Sequence, residues 1–432
     1  MGTGNRERGT GGRVSPRAAR PMKSSGIPWL GDVPEGWEVT RIGYLATRKQ
    51  PKYAPEEELL SVFLDRGVIR FADGGSKRAN VASGDFSKYQ LVEPGDFVLN
   101  NQQAWRGSVG VSTYRGIISP AYLILKTKPV VDAVYANYLF RSRPLVALYE
   151  QCSHGVGSIQ RNIYWDELRV QKIPFPPLPE QRAIAERIDC EVVRVDALRE
   201  KIKCEIERLG DYKKSLIAET VTRGLRRRKM MPSGISWLGD VPAEWEVRKI
   251  GSLYTPRNVK VSDSDYPPLS VTKQGILPQL EHVAKSNDRD NRKLVRENDF
   301  VINSRSDRRG SCGIATQDGS VSLINIVLQP LGEMEPKYFD WLFHTTAFAD
   351  EFYKWGQGID DDIWSTHWMS MKKIVVPFPT LPEQREIAEY LDRAVSRIDA
   401  VVARRKTQLE KLESFKRSLI QEYVTGKREV CL

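Results

Sequence analysis

Two polar segments carry side chains suited to reading a nucleic acid. Asn100-Asn101-Gln102-Gln103-Ala104-Trp105-Arg106-Gly107 and Asn303-Ser304-Arg305-Ser306-Asp307-Arg308-Arg309-Gly310 each follow an apolar run that begins Asp-Phe-Val. Asn, Gln and Arg make paired hydrogen bonds to base edges; Ser and Arg suit phosphates. A second pair of segments is rich in glycine and polar residues: His154-Gly155-Val156-Gly157-Ser158-Ile159-Gln160-Arg161-Asn162 and Trp355-Gly356-Gln357-Gly358-Ile359-Asp360. Glycine lets a backbone come close to a partner, although a plain flexible connector accounts for the pattern equally. The resulting DNA-contact candidates are Asn101, Gln102, Gln103, Arg106, Gln160, Arg161, Ser304, Arg305, Ser306, Arg308, Arg309 and Gln357. The competing reading of both loops is an ordinary polar surface.

Catalytic constellations are missing from the sequence. No phosphate-cradling loop ends in Gly-Lys-Ser/Thr, since Gly426-Lys427 is followed by Arg428. Asp265-Tyr266-Pro267-Pro268 has the residue types of the amino-methyltransferase motif in the wrong order, and reads as a turn. Asp360-Asp361-Asp362 could hold a cation, but a solvated run of like charge is the simpler reading. The four histidines and five scattered cysteines share no metal spacing and form no even disulfide set. No metal is expected, and the cysteine usage points to a reducing cytoplasm.

The chain has 432 residues and a net charge of +11. Much of that excess sits in residues 1–25, a Gly/Arg-rich stretch read as a disordered basic tail, and in 224–231, read as a basic linker. Bulk charge alone is therefore a poor argument for nucleic-acid binding. No apolar run reaches the roughly 18 residues a membrane helix needs, and the N-terminus has no secretory pattern.

These candidates sit on a scaffold that occurs twice. Gly26-Ile27-Pro28-Trp29-Leu30-Gly31-Asp32-Val33-Pro34 returns as Gly234-Ile235-Ser236-Trp237-Leu238-Gly239-Asp240-Val241-Pro242. Gly95-Asp96-Phe97-Val98 returns as Asn298-Asp299-Phe300-Val301, and Leu178-Pro179-Glu180-Gln181-Arg182 as Leu381-Pro382-Glu383-Gln384-Arg385. A repeat this long means two copies of a domain-sized module, not a solenoid. The copies agree on either side of the polar loop and differ within it. The matched Trp29, Trp37, Trp237 and Trp245 could stack on bases, but matched aromatics in a repeated scaffold more often pack a core.

The periodicity divides the chain into mixed globular parts at 26–179 and 232–382 and long helices at 180–223 and 383–427, with a short tail at 428–432. Phe97–Leu99, Ala121–Leu125 and Leu323–Leu328 read as strands. Short helical stretches are expected at Val134–Leu148 and Pro336–Tyr353. Each long helix opens on a proline and a glutamate and stops at a glycine, Gly224 or Gly426. Ile188, Val192, Val195, Ile202, Ile206, Leu209 and Leu216 alternate in steps of three, four and seven, as do Leu391, Val395, Ile398, Val402, Leu409, Leu412 and Leu419. This is a coiled-coil seam. Two such stripes in one chain are natural partners, because neither is stable alone in water. The expected architecture is α+β: two repeated mixed domains joined by two long helices in an antiparallel coiled coil, with pseudo-two-fold symmetry. Arg199, Lys213, Arg405 and Lys416 fall on the same lattice, where they either snorkel at the seam edge or fix its register.

Ser-Gly-Ile-x-Trp-Leu-Gly-x-x-Pro-x-x-Trp, the Asp-Phe-Val strand and the Leu-Pro-Glu-Gln-Arg helix start, each present twice between Ser25 and Gly426, resemble the specificity subunit of type I restriction–modification systems. The resemblance implies two target-recognition domains, each reading one half of a bipartite double-stranded DNA site. It also implies a helical spacer that sets the gap and docks two methyltransferase subunits, with two translocating nuclease subunits completing the assembly. No cofactor is expected on this chain; S-adenosylmethionine, ATP and Mg are expected on the partners. The competing readings are a two-headed scaffold that binds only proteins, a fused methyltransferase or nuclease, and a subunit serving a methyltransferase without a nuclease.

Overall fold

The computed structural model describes residues 20–50, 52–64, 66–74, 86–155, 161–279, 290–358 and 364–430. They form two compact units. One takes in the residues up to Glu200 together with those from Gln408 onward; the other runs from Lys201 to Thr407. The division therefore cuts both long helices, Leu178–Arg223 and Leu381–Val424. Each unit is a globular part packed on the first half of one long helix and the second half of the other.

The centre of the first unit is an antiparallel four-stranded sheet in the order Ala46–Arg48, Tyr122–Thr127, Asp96–Asn100, Val109–Val111. The second unit repeats it as Tyr254–Pro256, Asn325–Pro330, Phe300–Asn303, Cys312–Ile314. Phe97, Val98 and Leu99 are consecutive and all fully buried. Alternation explains this: Phe97 and Leu99 join Leu125 in the core under the helices, while Val98 joins Ile124 in a second, smaller core on the opposite face. A strand covered on both faces reads as an unbroken apolar run. In the second unit Phe300 and Ile302 face one core and Val301 the other.

Each expected single helical stretch is in fact two helices. Ala133–Phe140 is followed by Arg143–Gln151, and Pro336–Phe343 by Thr346–Lys354. The breaks fall at Ser142 and Thr345, whose hydroxyls donate to Leu139 O and Leu342 O at 2.6 and 2.7 Å. Thr345 also accepts from Phe348 N, so the residue that ends one helix caps the next. The short helices carry Phe140 onto Phe97 and Phe343 onto Phe300, with ring centroids 4.2 Å apart in both units.

The Leu-Pro-Glu-Gln-Arg segments tie each long helix to its globular part. Gln181 is fully buried; its amide donates to Pro176 O and Val130 O and accepts from Asp132 N. Gln384 repeats this with Pro379 O and Glu335 N. A buried amide with its donors and acceptor matched holds the helix start in one orientation. Each unit is closed by the end of the other long helix. Tyr135 Oη donates to Val424 O, and Tyr338 Oη to Val221 O. Gly224 and Gly426 end the helices, both with φ of 74°. Asn298 stands where the first copy has Gly95 and takes a φ of 68°, which asparagine tolerates best among residues with a Cβ.

The repeat reaches further upstream than its motifs suggest, and this corrects the reading of 1–25 as one disordered tail and of 224–231 as a linker. Met22–Ser24 pairs with Asp32–Pro34, and Met230–Pro232 with Asp240–Pro242. Arg20 bonds both carboxylate oxygens of Glu180; Arg228 does the same with Glu383 at 2.8 and 3.1 Å. These arginines have fixed carboxylate partners in the fold. Residues 1–19 lie outside the described residues.

Candidate nucleic-acid interface

Both polar loops leave the central sheet in the same way. The side chain of Asn100 accepts from Gln102 N at 3.1 Å, and that of Asn303 from Arg305 N at 3.1 Å. This short turn starts the loop. A single 3-10 turn follows, Ala104–Arg106 or Ser306–Arg308. Gly107 and Gly310, with φ of 96° and 77°, return the chain to the next strand. The common backbone thus accounts for Asn and Gly at the loop ends and leaves the residues between them free to differ.

The fold also brings the second pair of segments to the first. Ile163 N donates to Asn101 O at 3.0 Å, and Thr366 N to Ser304 O at 2.9 Å. In the first unit, Arg106 and Arg161 both lie over the Trp105 ring, at 4.8 and 5.1 Å from its centre. Trp105 is itself fixed by its Nε1 donating to Gln102 O. Cation–π contact holds two guanidiniums in place before any ligand arrives. Arg161 also reaches Glu150 at 3.3 Å. Gln102 is exposed and Gln103 half-buried; the Asn101 amide leans on Asn162 at 3.4 Å.

The second unit has a different inventory. Arg305 pairs with Asp307 at 3.2 Å and Arg308 approaches the same carboxylate at 3.7 Å. Arg309 pairs with Asp350 and lies 5.9 Å from the centre of Tyr353. Gln357 is exposed, with its backbone bonded in both directions to Ser365. Ser304 is buried at the base of the groove beside the loop, and its hydroxyl donates to Ile324 O at 2.7 Å, so it also helps to build the loop. Gly356 makes room for Trp364, whose indole would collide with any Cβ there; the close approach is to a side chain of the fold. Gln160, the side chain of Ser306 and the Asp360-Asp361-Asp362 run lie outside the described residues.

Trp37 and Trp245 are buried in the main cores, and Trp237 packs on Phe348. Trp29 is the exposed member of the four. Burial pushes the Cys152 thiol up to about 11 and Cys312 higher still, leaving both as inert core residues. Asp265 sits in a turn, as its Pro-Pro neighbours require. Among the described residues no three His, Cys, Asp or Glu side chains gather as metal ligands, and no helix is long and apolar enough to cross a membrane.

Some residues near the loops were not legible from the motifs. Arg48, Tyr164 and Asp166 stand beside Asn101, while Lys293, His367 and Met369 stand beside Arg305. Burial lowers the pKa of Lys293, whose Nζ donates to Asn325 O at 2.7 Å. Aligning the repeats by offset would have paired Tyr164 with His367 and Asp166 with Met369, yet nothing in their local pattern marks them.

The type I restriction modification DNA specificity domain matches the chain at residues 34–208 and again at 242–411. The MjaVIII type I restriction enzyme specificity subunit of Methanocaldococcus jannaschii is 23% identical, over 92% of this chain and 94% of its own length. The specificity subunit of the putative MjaX enzyme of the same organism is 23% identical over 93% and 96%. The fold is similar to that of a chain solved in work on complex assembly and conformational transition of the type I R-M system. The TM-score is 0.68, with 15% identity, covering 92% of this chain and 99% of that one. It is also similar to the HsdS subunit of Thermoanaerobacter tengcongensis, with a TM-score of 0.56, 16% identity, and 92% and 98% covered. Two specificity domains on a shared helical frame, matched along nearly the whole chain, place it in the type I restriction–modification DNA specificity family: it is a specificity subunit, a recognition component and not itself an enzyme.

Proposed function

We propose that each unit reads one half of a bipartite double-stranded DNA site, and that the helices set the gap between the halves. The observation that carries this is the pair of loops. One backbone, with matching Asn100 and Asn303 turns, presents Gln102 and Arg106 in one unit, with Arg161 alongside over Trp105, and Arg305, Arg308 and Arg309 in the other. Two different side-chain sets on one scaffold suit two different half-sites.

The helices are also proposed to dock two methyltransferase subunits. Leu198 and Phe415 are about half exposed in the first unit, as are Val401 and Tyr212 in the second. These pairs occupy matching positions of the repeat, next to the Asp196–Lys416 and Lys213–Asp399 ion pairs. Apolar side chains repeated outside the seam suit two copies of one partner. The methyltransferase would bring S-adenosylmethionine; a pair of translocating nuclease subunits would bring ATP and Mg.

The test is a methylome of cells expressing this chain with its neighbouring methyltransferase. The expected result is methylation on a two-part motif with a fixed gap. A continuous motif would overturn the two-domain reading, and absence of marks from a co-purifying complex would favour a protein-only scaffold.

A further inference from the structure

Beside each loop lies an open groove. In the second unit it has a volume of about 710 Å³ and is lined by Lys293, Arg305, Ser365, His367, Trp368 and Met369, among others. The first unit has a groove of about 280 Å³ at the same place, with Arg48, Asn101, Tyr164, Trp165 and Asp166 in its wall. The correspondence is residue by residue: Trp165 matches Trp368, Ile163 matches Thr366, and Asn101 matches Ser304. One wall thus comes from matching positions in both units, and its tryptophan is the same residue in each.

The chemistry of the other wall is not common. Tyr164 and Asp166 in the first unit stand where His367 and Met369 stand in the second, and Arg48 stands where Pro256 does. Among the described residues, no carboxylate lines the second groove. Its half-buried Lys293 bonds the carbonyl of Asn325, and its Arg305 pairs with Asp307 at 3.2 Å. Its charged lining groups, Lys293 and Arg305, are therefore donors, whereas the first groove sets the exposed carboxylate of Asp166, which also pairs with Arg169 at 3.0 Å, near Arg48. Tyr164, His367 and Met369 are exposed, so all three are accessible to a ligand.

Resting on the DNA-reading proposal above, we infer that these grooves are a second read-out element, and that residues 164 and 166 in one unit and 367 and 369 in the other determine base preference. The donor-rich second groove suits acceptor edges of bases, such as the O6 and N7 of guanine. The first groove, with Asp166, suits a base that presents an amino donor. The two loops alone would then not specify the half-sites.

The test exchanges one wall. The double variant His367→Tyr, Met369→Asp puts the side chains of Tyr164 and Asp166 at the matching positions of the second groove. The full chain, purified with its methyltransferase, selects from random-sequence duplex DNA. One or two positions of the second half-site should change identity, with the wild-type base losing a preference of about 5- to 150-fold. The first half-site and the gap should stay as they are. His367→Ala provides a smaller change, and an unchanged unfolding midpoint shows that either variant is folded. A native complex that enriches a two-part motif, with both variants enriching the same motif, overturns the groove inference alone. Uniformly weaker binding to all sequences with a shallower salt dependence also overturns it, because the groove would then hold only phosphate. A native complex that enriches no two-part motif overturns the DNA-reading proposal, and the groove with it.

Discussion

Lys416 reaches from the second long helix to both carboxylate oxygens of Asp196 on the first, at 2.9 and 2.7 Å. The relationship recurs in the other unit with the helices exchanged, where Lys213 bonds both oxygens of Asp399 at 2.8 Å. Arg199 and Arg405 add bonds to Glu413 and Glu205 at 3.0 Å. All four basic residues on the seam lattice thus have an acid on the opposite helix. That favours register-fixing over simple snorkelling, because a one-heptad slip would separate every pair.

Asp196→Asn should destabilise the helix pair by roughly 0.5–1 kcal/mol at neutral pH, the scale of a partly exposed ion pair. Burial would raise the Asp196 pKa, but the hydrogen bonds and charges of Lys416 and Arg199 outweigh it and hold the carboxyl below its ordinary range. A depressed folded pKa gives stability that is present above the unfolded value, about 3.9. That stability is lost as pH falls through the folded value. Urea unfolding between pH 7 and 3 should show the wild type losing part of its advantage over the variant below about pH 4.

The repeat, the long helices, their glycine stops and the strand–loop–strand units were legible because each follows from local pattern. The division into units was not. That each globular part closes on the end of the other long helix depends on contacts such as Tyr135 to Val424 and Tyr338 to Val221, far apart in sequence. Arg20 and Arg228 were hidden for a related reason. In a basic stretch each looks like solvated charge, and only the buried Glu180 and part-buried Glu383 give them a structural role. The structural role of Ser304 was hidden because a serine in a polar loop looks the same whether its hydroxyl meets solvent or, as here, the carbonyl of Ile324.

The two repeats solve one hydrogen bond differently. Asp340 accepts from Ile314 N at 3.0 Å, and Asn137 accepts from Val111 N at 3.1 Å at the matching place. Desolvation raises the Asp340 pKa in spite of nearby His344. With the folded value raised, its favourable contribution is complete below the unfolded pKa and lost as pH rises through the folded one. Asp340→Asn should therefore be neutral or slightly stabilising at pH 7, within about 0.5 kcal/mol. Asp340→Ala leaves Ile314 N without its acceptor and should cost about 1–2 kcal/mol. Thermal unfolding of the two variants separates these outcomes.

Glycine has opposite value at two places on the helices. Gly426 has a φ of 74°, and a Cβ there would strike Pro34 and press on Trp37. Gly426→Ala should cost about 2–3 kcal/mol from left-handed backbone strain and overpacking. Gly210 lies within the first long helix, and its Cβ would meet nothing within 4 Å. Gly210→Ala should stabilise by about 0.5–1 kcal/mol, because it restores helix propensity. Calorimetric midpoints should move in opposite directions.

The loop arginines should divide by their setting. Arg305 lines the groove of the second unit, so Arg305→Ala should cost about 1–3 kcal/mol of DNA binding and relax one position of one half-site. Arg308 is 68% exposed and held only loosely by Asp307. Arg308→Ala should weaken binding to all sequences alike and lower the salt slope by about 1, as expected for a phosphate contact. Titrations at several salt concentrations with matched and single-mismatch duplexes distinguish the two. No change for either arginine would remove this loop from the interface.

The spacer proposal makes a geometric prediction. Four residues inserted near Ala197 alone should alter the gap, but they would also shift Asp196 away from Lys416 or Arg199 away from Glu413, since both pairs flank that point on one helix. A cleaner change adds seven residues to each helix, one insertion near residue 200 and the other near 408, where the two units meet in sequence. A whole heptad preserves the seam positions on both sides, and seven residues at about 1.5 Å each add roughly 10 Å. At about 3.4 Å per base pair, the methylated motif should gain about three base pairs in its gap and keep both half-sites. A folded, active variant with an unchanged gap would show that the helices do not set the spacing.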